Sequence, residues 1–84
     1  MIHLTLYSRP GCHLCDEMKE TVQRVARAFT RAPVSIVVVD ISDDPALEAQ
    51  YGLEIPVLLV EGKKAAKIRI AEDALARILT SRAL

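Results

Sequence analysis

Apolar and polar residues alternate over residues 2–7, with Ile2, Leu4 and Leu6 at every second position. That period of two predicts a strand carrying these three side chains on one face. Pro10-Gly11 then marks a turn. Over residues 14–30 the period lengthens. Leu14, Met18, Val22, Val25 and Phe29 recur at spacings of three and four, the apolar stripe of a helix. Asp16 and Glu17 fall in its first turn, with Arg24, Arg27 and Arg31 toward its end, a charge order that suits the helix dipole. Pro33 ends the segment. Residues 34–39 are nearly all apolar and rich in β-branched side chains, which predicts a buried strand. It should run parallel to the first, because a helix crosses between them.

Asp40 to Pro45 reads as a loop able to cap a short helix over 46–51, with Pro45 at its first position and Gly52 just past its end. Residues 57–60 predict a third strand, Glu61-Gly62-Lys63 a turn and residues 66–70 a fourth strand, so these two should form an antiparallel hairpin. Leu75, Ile78 and Leu79 place a last helix over 71–84. The order is β-α-β-α-β-β-α. A right-handed crossover and a hairpin turn this order into an α/β fold, a four-stranded mixed sheet with helices on both faces.

The 84 residues are expected to form a single domain, 1–84. A domain this short buries about 60–65% of its unfolded surface. A hydrophobic share of 51% suffices for a packed core and argues against wholesale disorder. Eleven basic and eleven acidic residues cancel, so no field of one sign draws nucleic acid or an anionic membrane to the surface. No apolar run approaches the roughly 20 residues of a membrane helix. Residues 1–7 lack a basic n-region and a small-residue cleavage site, and so read as structure rather than as a signal peptide. The expected setting is the cytoplasm, where thiols are kept reduced.

The two cysteines, Cys12 and Cys15, stand in a C-x-x-C spacing. A bridge between them closes a very short loop, which the chain-entropy model credits with only about 2 kcal/mol. The pair is a poor staple, which turns the reading toward redox or metal chemistry. The spacing falls where the first strand ends and the first helix opens, the edge at which open α/β sheets place their chemistry. Cys12 lies at the helix mouth and Cys15 one turn inside, on the same face.

The reacting species is a thiolate, and a free cysteine titrates near pH 8.5. Moving that by two units takes about 2.7 kcal/mol. A helix N-terminus supplies about 0.3–1 kcal/mol, and about 2 when partly buried. Backbone N–H groups around Leu14 and Cys15, the Cys15 thiol and a protonated His13 are the candidates for the remainder, with Arg9 as a nearby positive charge. Cys12 would attack a disulfide, and Cys15 would then displace the substrate and close the intramolecular bridge. Two other readings stand beside this one. The cysteines could be ordinary buried residues. They could also hold a metal, which needs four ligands and hence a second subunit or an external thiol, since His13 between them is poorly placed to share it. No metal site is expected within one chain.

Tyr7-Ser8-Arg9-Pro10-Gly11-Cys12-His13-Leu14-Cys15 resembles the active-site stretch of glutaredoxins: a strand, a basic residue three before the first cysteine, and C-x-x-C opening the helix. Val39-Asp40-Ile41-Ser42-Asp43-Asp44-Pro45 through Tyr51-Gly52 is similar to the matching stretch of thioredoxins, and Ile55-Pro56 resembles the superfamily's cis-proline site. The resemblance runs from Leu4 to the last helix. It implies a thioredoxin fold with a cis Pro56 facing Cys12, and a backbone at Ile55 that pairs with a bound peptide or glutathione as an added strand. By the same resemblance, Arg9 would contact a glutathione carboxylate.

Several positions depart from the pattern. His13-Leu14 stands where glutaredoxins carry Pro-Tyr. Ile70-Ala71-Glu72-Asp73 lacks their Gly-Gly step, leaving Glu72 or Asp73 to face the ligand amine. Gly11 precedes the first cysteine where thioredoxins have Trp.

The expected activity is a monomeric dithiol oxidoreductase reducing protein or glutathione mixed disulfides in cell redox homeostasis. It would need no bound cofactor and would draw electrons from glutathione or from a reductase partner. The site residues are Cys12 and Cys15, with Arg9, His13, Leu14, Ile55, Pro56 and Asp73 around the substrate. The alternative is a non-catalytic binding module that docks a partner strand or shares a metal or iron–sulfur cluster between subunits. Other residues invite plainer readings: His3 as an edge histidine, Tyr7 as core or site lining, Lys63, Lys64 and Lys67 as a lysine-protected hairpin edge, and the Arg24, Arg27, Arg31 series as a solvated helix face.

Overall fold

The computed structural model describes all residues, 1–84. The strands are β1 (Ile2–Ser8), β2 (Val34–Asp40), β3 (Val57–Val60) and β4 (Lys63–Lys67). The helices are α1 (His13–Ala28), α2 (Pro45–Tyr51) and α3 (Glu72–Arg82), with one 3-10 turn at Ile41–Asp43. The four strands form one mixed sheet in the order β2-β1-β3-β4. β1 runs parallel to β2 and antiparallel to β3, and β3 pairs antiparallel with β4.

The alternation in β1 decides which side holds the core. Ile2, Leu4 and Leu6 meet Leu58 and Val60 of β3, Met18, Val22 and Val25 of α1, and Leu75 and Leu79 of α3 in one buried cluster. Each of these residues retains at most 8% of its surface. α1 and α3 therefore lie side by side on one face. Tyr7 and Val57, paired across the β1–β3 ladder, point the other way, where Tyr51 of α2 stacks on Tyr7 with ring centroids 4.6 Å apart.

Asp44 starts α2, its carboxylate accepting the Ala46 and Leu47 N–H groups at 3.0 and 3.2 Å, with Pro45 in the first turn where its missing N–H costs nothing. Gly52 follows the helix as expected, but in right-handed rather than left-handed conformation (φ −54). Its role is room. A Cβ there would lie 2.5 Å from the Glu48 carbonyl oxygen and 2.7 Å from the Glu48 carboxylate.

Three expectations fail. β2 is an outer strand, with Val37 56% and Val38 41% exposed, not a buried one. An apolar β-branched run fits an edge strand equally well, and α2, seven residues long, is too short to cover it. The fourth strand begins at Lys63, three residues before the predicted 66–70. Glu61 (φ 51) and Gly62 (φ 79) make a two-residue turn with both residues left-handed, so pairing resumes at once. A bulge at Leu58/Leu59 leaves Ala65 without a partner, and the strand ends before Ile68 (φ 69). The Ile68 and Arg69 region is a γ-turn, with the Arg69 N–H donating to the Lys67 carbonyl at 2.7 Å. α1 also ends two residues before the predicted limit, at Ala28. No helix is long and apolar enough to cross a membrane.

Candidate active site

The segment between β1 and α1 is a tight turn. The Cys12 N–H donates to the Arg9 carbonyl at 3.3 Å, with Pro10 and Gly11 between them. Gly11 has φ +80, and a Cβ there would meet nothing within 4 Å. Pro at the second and a left-handed Gly at the third position are what a type II turn requires. This turn delivers Cys12 to the cap position of α1. There its sulfur accepts the Cys15 N–H at 3.1 Å, and its carbonyl accepts the Asp16 N–H at 3.1 Å. Cys12 therefore does for α1 what Asp44 does for α2, with sulfur in place of a carboxylate oxygen. An anion on that sulfur faces a donated N–H and the positive end of a 16-residue helix.

Cys12 is partly exposed, whereas Cys15, one turn deeper, retains 2% of its surface. Their Cα atoms lie 5.2 Å apart and the two sulfurs are joined as a disulfide. No three His, Cys, Asp or Glu side chains gather into a metal-sized cluster.

The Ile55–Pro56 peptide bond is cis. Tyr7 pairs with Val57, so Pro56 stands at the end of the sheet from which the Arg9–Cys12 turn emerges. The Pro56 carbonyl accepts the Ile68 N–H at 2.8 Å, and the Ile55 N–H is donated to Tyr51 at 3.1 Å. The Ile55 carbonyl accepts no backbone N–H. Glu54 pairs with Lys64 of β4 at 2.6 Å. The hydrogen bond from Lys64, and then its charge, hold the Glu54 carboxyl below its ordinary range.

Arg9 is half-exposed and its guanidinium pairs with Glu48 of α2. It lines a hollow with Pro10, Cys15, Asp16, Lys19 and Asp40. The Ser42 hydroxyl, then the Ser42 N–H, bind the Asp40 carboxylate at 2.6 and 2.8 Å and lower its pKa, with a smaller contribution from Arg9. His13 is exposed in the first turn of α1. Leu14 lines a groove between α1 and the Ile68–Ile70 stretch, with Glu17, Met18 and Thr21. Cys12, Cys15, Arg9, His13, Leu14, Ile55 and Pro56 thus collect at one end of the sheet. Asp73 does not join them. It sits within reach of Arg77 at 3.9 Å and in a groove with Arg24, Val25 and Phe29. Arg24 is about 18 Å along α1 from Cys12 at the usual rise per residue.

A family model described as "Glutaredoxin-like domain (DUF836)" matches residues 3–80. The chain belongs to the glutaredoxin-like domain family. The X-ray structure of the structural genomics target XcR50 from X. campestris is 37% identical, covers 93% of this chain and 96% of its own, and has a TM-score of 0.75. Protein Ne2328 from Nitrosomonas europaea is 25% identical with a TM-score of 0.75, covering 92% of this chain and 89% of its own. A thioredoxin mutant from Halobacterium salinarum shares the fold at 22% identity and TM-score 0.63, covering 95% and 73%. None of the curated proteins matches.

This glutaredoxin-like domain therefore has the thioredoxin fold and a C-x-x-C cysteine pair of redox type. Two features of its site lie outside the motifs. Glu48, 39 residues from Arg9, announces itself by nothing except its place in a helix. Ile68 reads as a strand residue, yet its N–H is the group that meets Pro56. A β-branched residue at positive φ is an outlier that no local pattern forecasts.

Proposed function

We propose that this glutaredoxin-like domain is a dithiol oxidoreductase that reduces disulfides. Cys12 is the nucleophile and Cys15 the resolving thiol. The observation that carries the reading is the position of Cys12: a partly exposed sulfur capping α1, accepting the Cys15 N–H, and bonded to a sulfur sealed one turn below. The reduced Cys12 thiolate attacks a substrate disulfide and forms a mixed disulfide. Cys15 then attacks Cys12, releases the substrate thiolate and closes the bridge. Two electrons pass to the substrate in each cycle, and a thiol donor returns them.

A bound polypeptide lies along Ile55 and Pro56, its N–H reaching the Ile55 carbonyl, with His13 and Leu14 flanking the sulfur. Arg9 and Lys19 line the hollow beside Cys15. The setting fits a reducing compartment.

Turnover of a mixed-disulfide peptide tests this. Cys12→Ser abolishes turnover, and Cys15→Ser accumulates a mixed disulfide on Cys12 that mass spectrometry identifies. A Cys15→Ser protein that cycles normally without a trapped adduct contradicts the dithiol cycle. No turnover by the native protein, with a partner retained on the Ile55 edge, favours the binding-module reading instead.

A further inference from the structure

Arg9 is the residue that the resemblance assigns to a glutathione carboxylate, and here its guanidinium already has a carboxylate. Glu48 supplies it from α2. The helix holds Glu48 in place: its N–H donates to Asp44 at 2.9 Å and its carbonyl accepts the Gly52 N–H at 2.9 Å. Gly52 leaves the space the pair occupies, since a Cβ there would stand 2.7 Å from Glu48 Oε1 and 3.4 Å from Arg9 Nη2. The surroundings do not favour a second anion. Arg9 and Lys19 face Asp16, Asp40 and Glu48, a balance of one negative charge. Asp40 and its Ser42 hydrogen bonds keep that charge in place.

We propose that Glu48 is a specificity-determining residue. By holding Arg9 it occupies the guanidinium that the resemblance assigns to a glutathione carboxylate. The disulfide is then served by polypeptide dithiols docking on the Ile55 carbonyl rather than by glutathione. This rests on the oxidoreductase reading and names the class of thiol donor that reduces its disulfide. Glutathione entering the site must displace Glu48 from Arg9 or lie beside it as a like charge.

The test uses stoichiometric reduction of the oxidised protein. One glutathione thiolate attacks Cys12 Sγ and breaks the Cys12–Cys15 bond, and Cys15 leaves as a thiolate that takes a proton. A second glutathione thiolate attacks the mixed disulfide, giving glutathione disulfide and the Cys12 thiolate. Rates are measured with glutathione and with glutathione diamide, which lacks both carboxylates, at fixed ionic strength. The readout is the ratio of the two rates for each protein, and comparing that ratio between proteins cancels the intrinsic difference between the thiols.

Glu48→Gln raises the ratio about fivefold, the upper span of one half-exposed ion pair. Adding Arg9→Ala to Glu48→Gln returns it to the native level, and Arg9→Ala alone does not raise it, because the unpaired Glu48 repels the glutathione carboxylates. A ratio unaffected by Glu48→Gln overturns the proposal, as does a rise that persists when Arg9→Ala is added to Glu48→Gln. A disulfide that opens neither with these thiols nor with dithiothreitol overturns the redox reading itself, and this inference with it.

Discussion

Gly11 and Gly62 provide a matched pair of perturbations. Both have left-handed backbones (φ +80 and +79), and at both an added Cβ would touch nothing within 4 Å. Replacing either by Ala therefore tests backbone conformation alone. Holding an L-residue in that region costs about 1–2 kcal/mol. The stiffer unfolded chain returns part of it, about 0.4–1 kcal/mol at a tolerant site. A net loss of about 1 kcal/mol remains, which shifts Tm by about 4–8 °C for a domain of this length. Thermal unfolding of the reduced proteins should show that loss at both sites.

Only Gly11 belongs to the turn that seats Cys12 on α1, whereas Gly62 closes the β3–β4 hairpin. Gly11→Ala should therefore also slow alkylation of Cys12 by iodoacetamide at neutral pH, and Gly62→Ala should not. A Gly11→Ala protein as stable as native would refute the type II turn. Equal slowing in both variants would refute the link between that turn and the sulfur.

Leu58 of β3 is fully buried in the core cluster, so Leu58→Ala should lose about 2–5 kcal/mol in urea unfolding, while Val37→Thr on the exposed edge changes stability by less than about 0.5 kcal/mol. Asp44→Ala removes the acceptor for two N–H groups; about 1 kcal/mol and faster hydrogen exchange at Ala46 and Leu47 should follow. Glu54 has a depressed pKa in the folded state, so its contribution is complete above its ordinary value of 4.5 and is lost as pH falls through the lower folded value. Urea midpoints measured from about pH 3 to 7 should show a shallower acid-side fall in Glu54→Gln than in the native protein.

Much of the architecture is written in local patterns. The period of two in β1 and the three-and-four spacing of Met18, Val22 and Val25 placed their side chains in one core because each pattern is a property of its own element. Pro45 and Pro10-Gly11 were equally legible, since their backbone preferences act within a few residues. What stayed hidden depends on the assembled sheet. Residues 34–39 have the composition of a buried strand, and only the strand order shows that β2 has one neighbour. Ile68 and Ile70 read as strand residues, yet the two-residue turn moved pairing toward Lys63 and left Ile68 to meet Pro56. At the site, both cysteines and the cis proline could be read from motifs. The Arg9–Glu48 pair could not, because a contact between a loop and a helix 39 residues apart leaves no periodic trace.

The sulfur at the mouth of α1 is the centre of this account, and its reactivity as a function of pH is the most direct measure of it. Reduced protein would be alkylated with iodoacetamide over a range of pH, with Cys12 and Cys15 followed separately by mass. Cys12 should react first, with half-maximal rate well below the roughly pH 8.5 of a free cysteine, while Cys15 stays slow in its buried place. Two cysteines alkylated at the same rate, with the profile of ordinary thiols, would contradict the account.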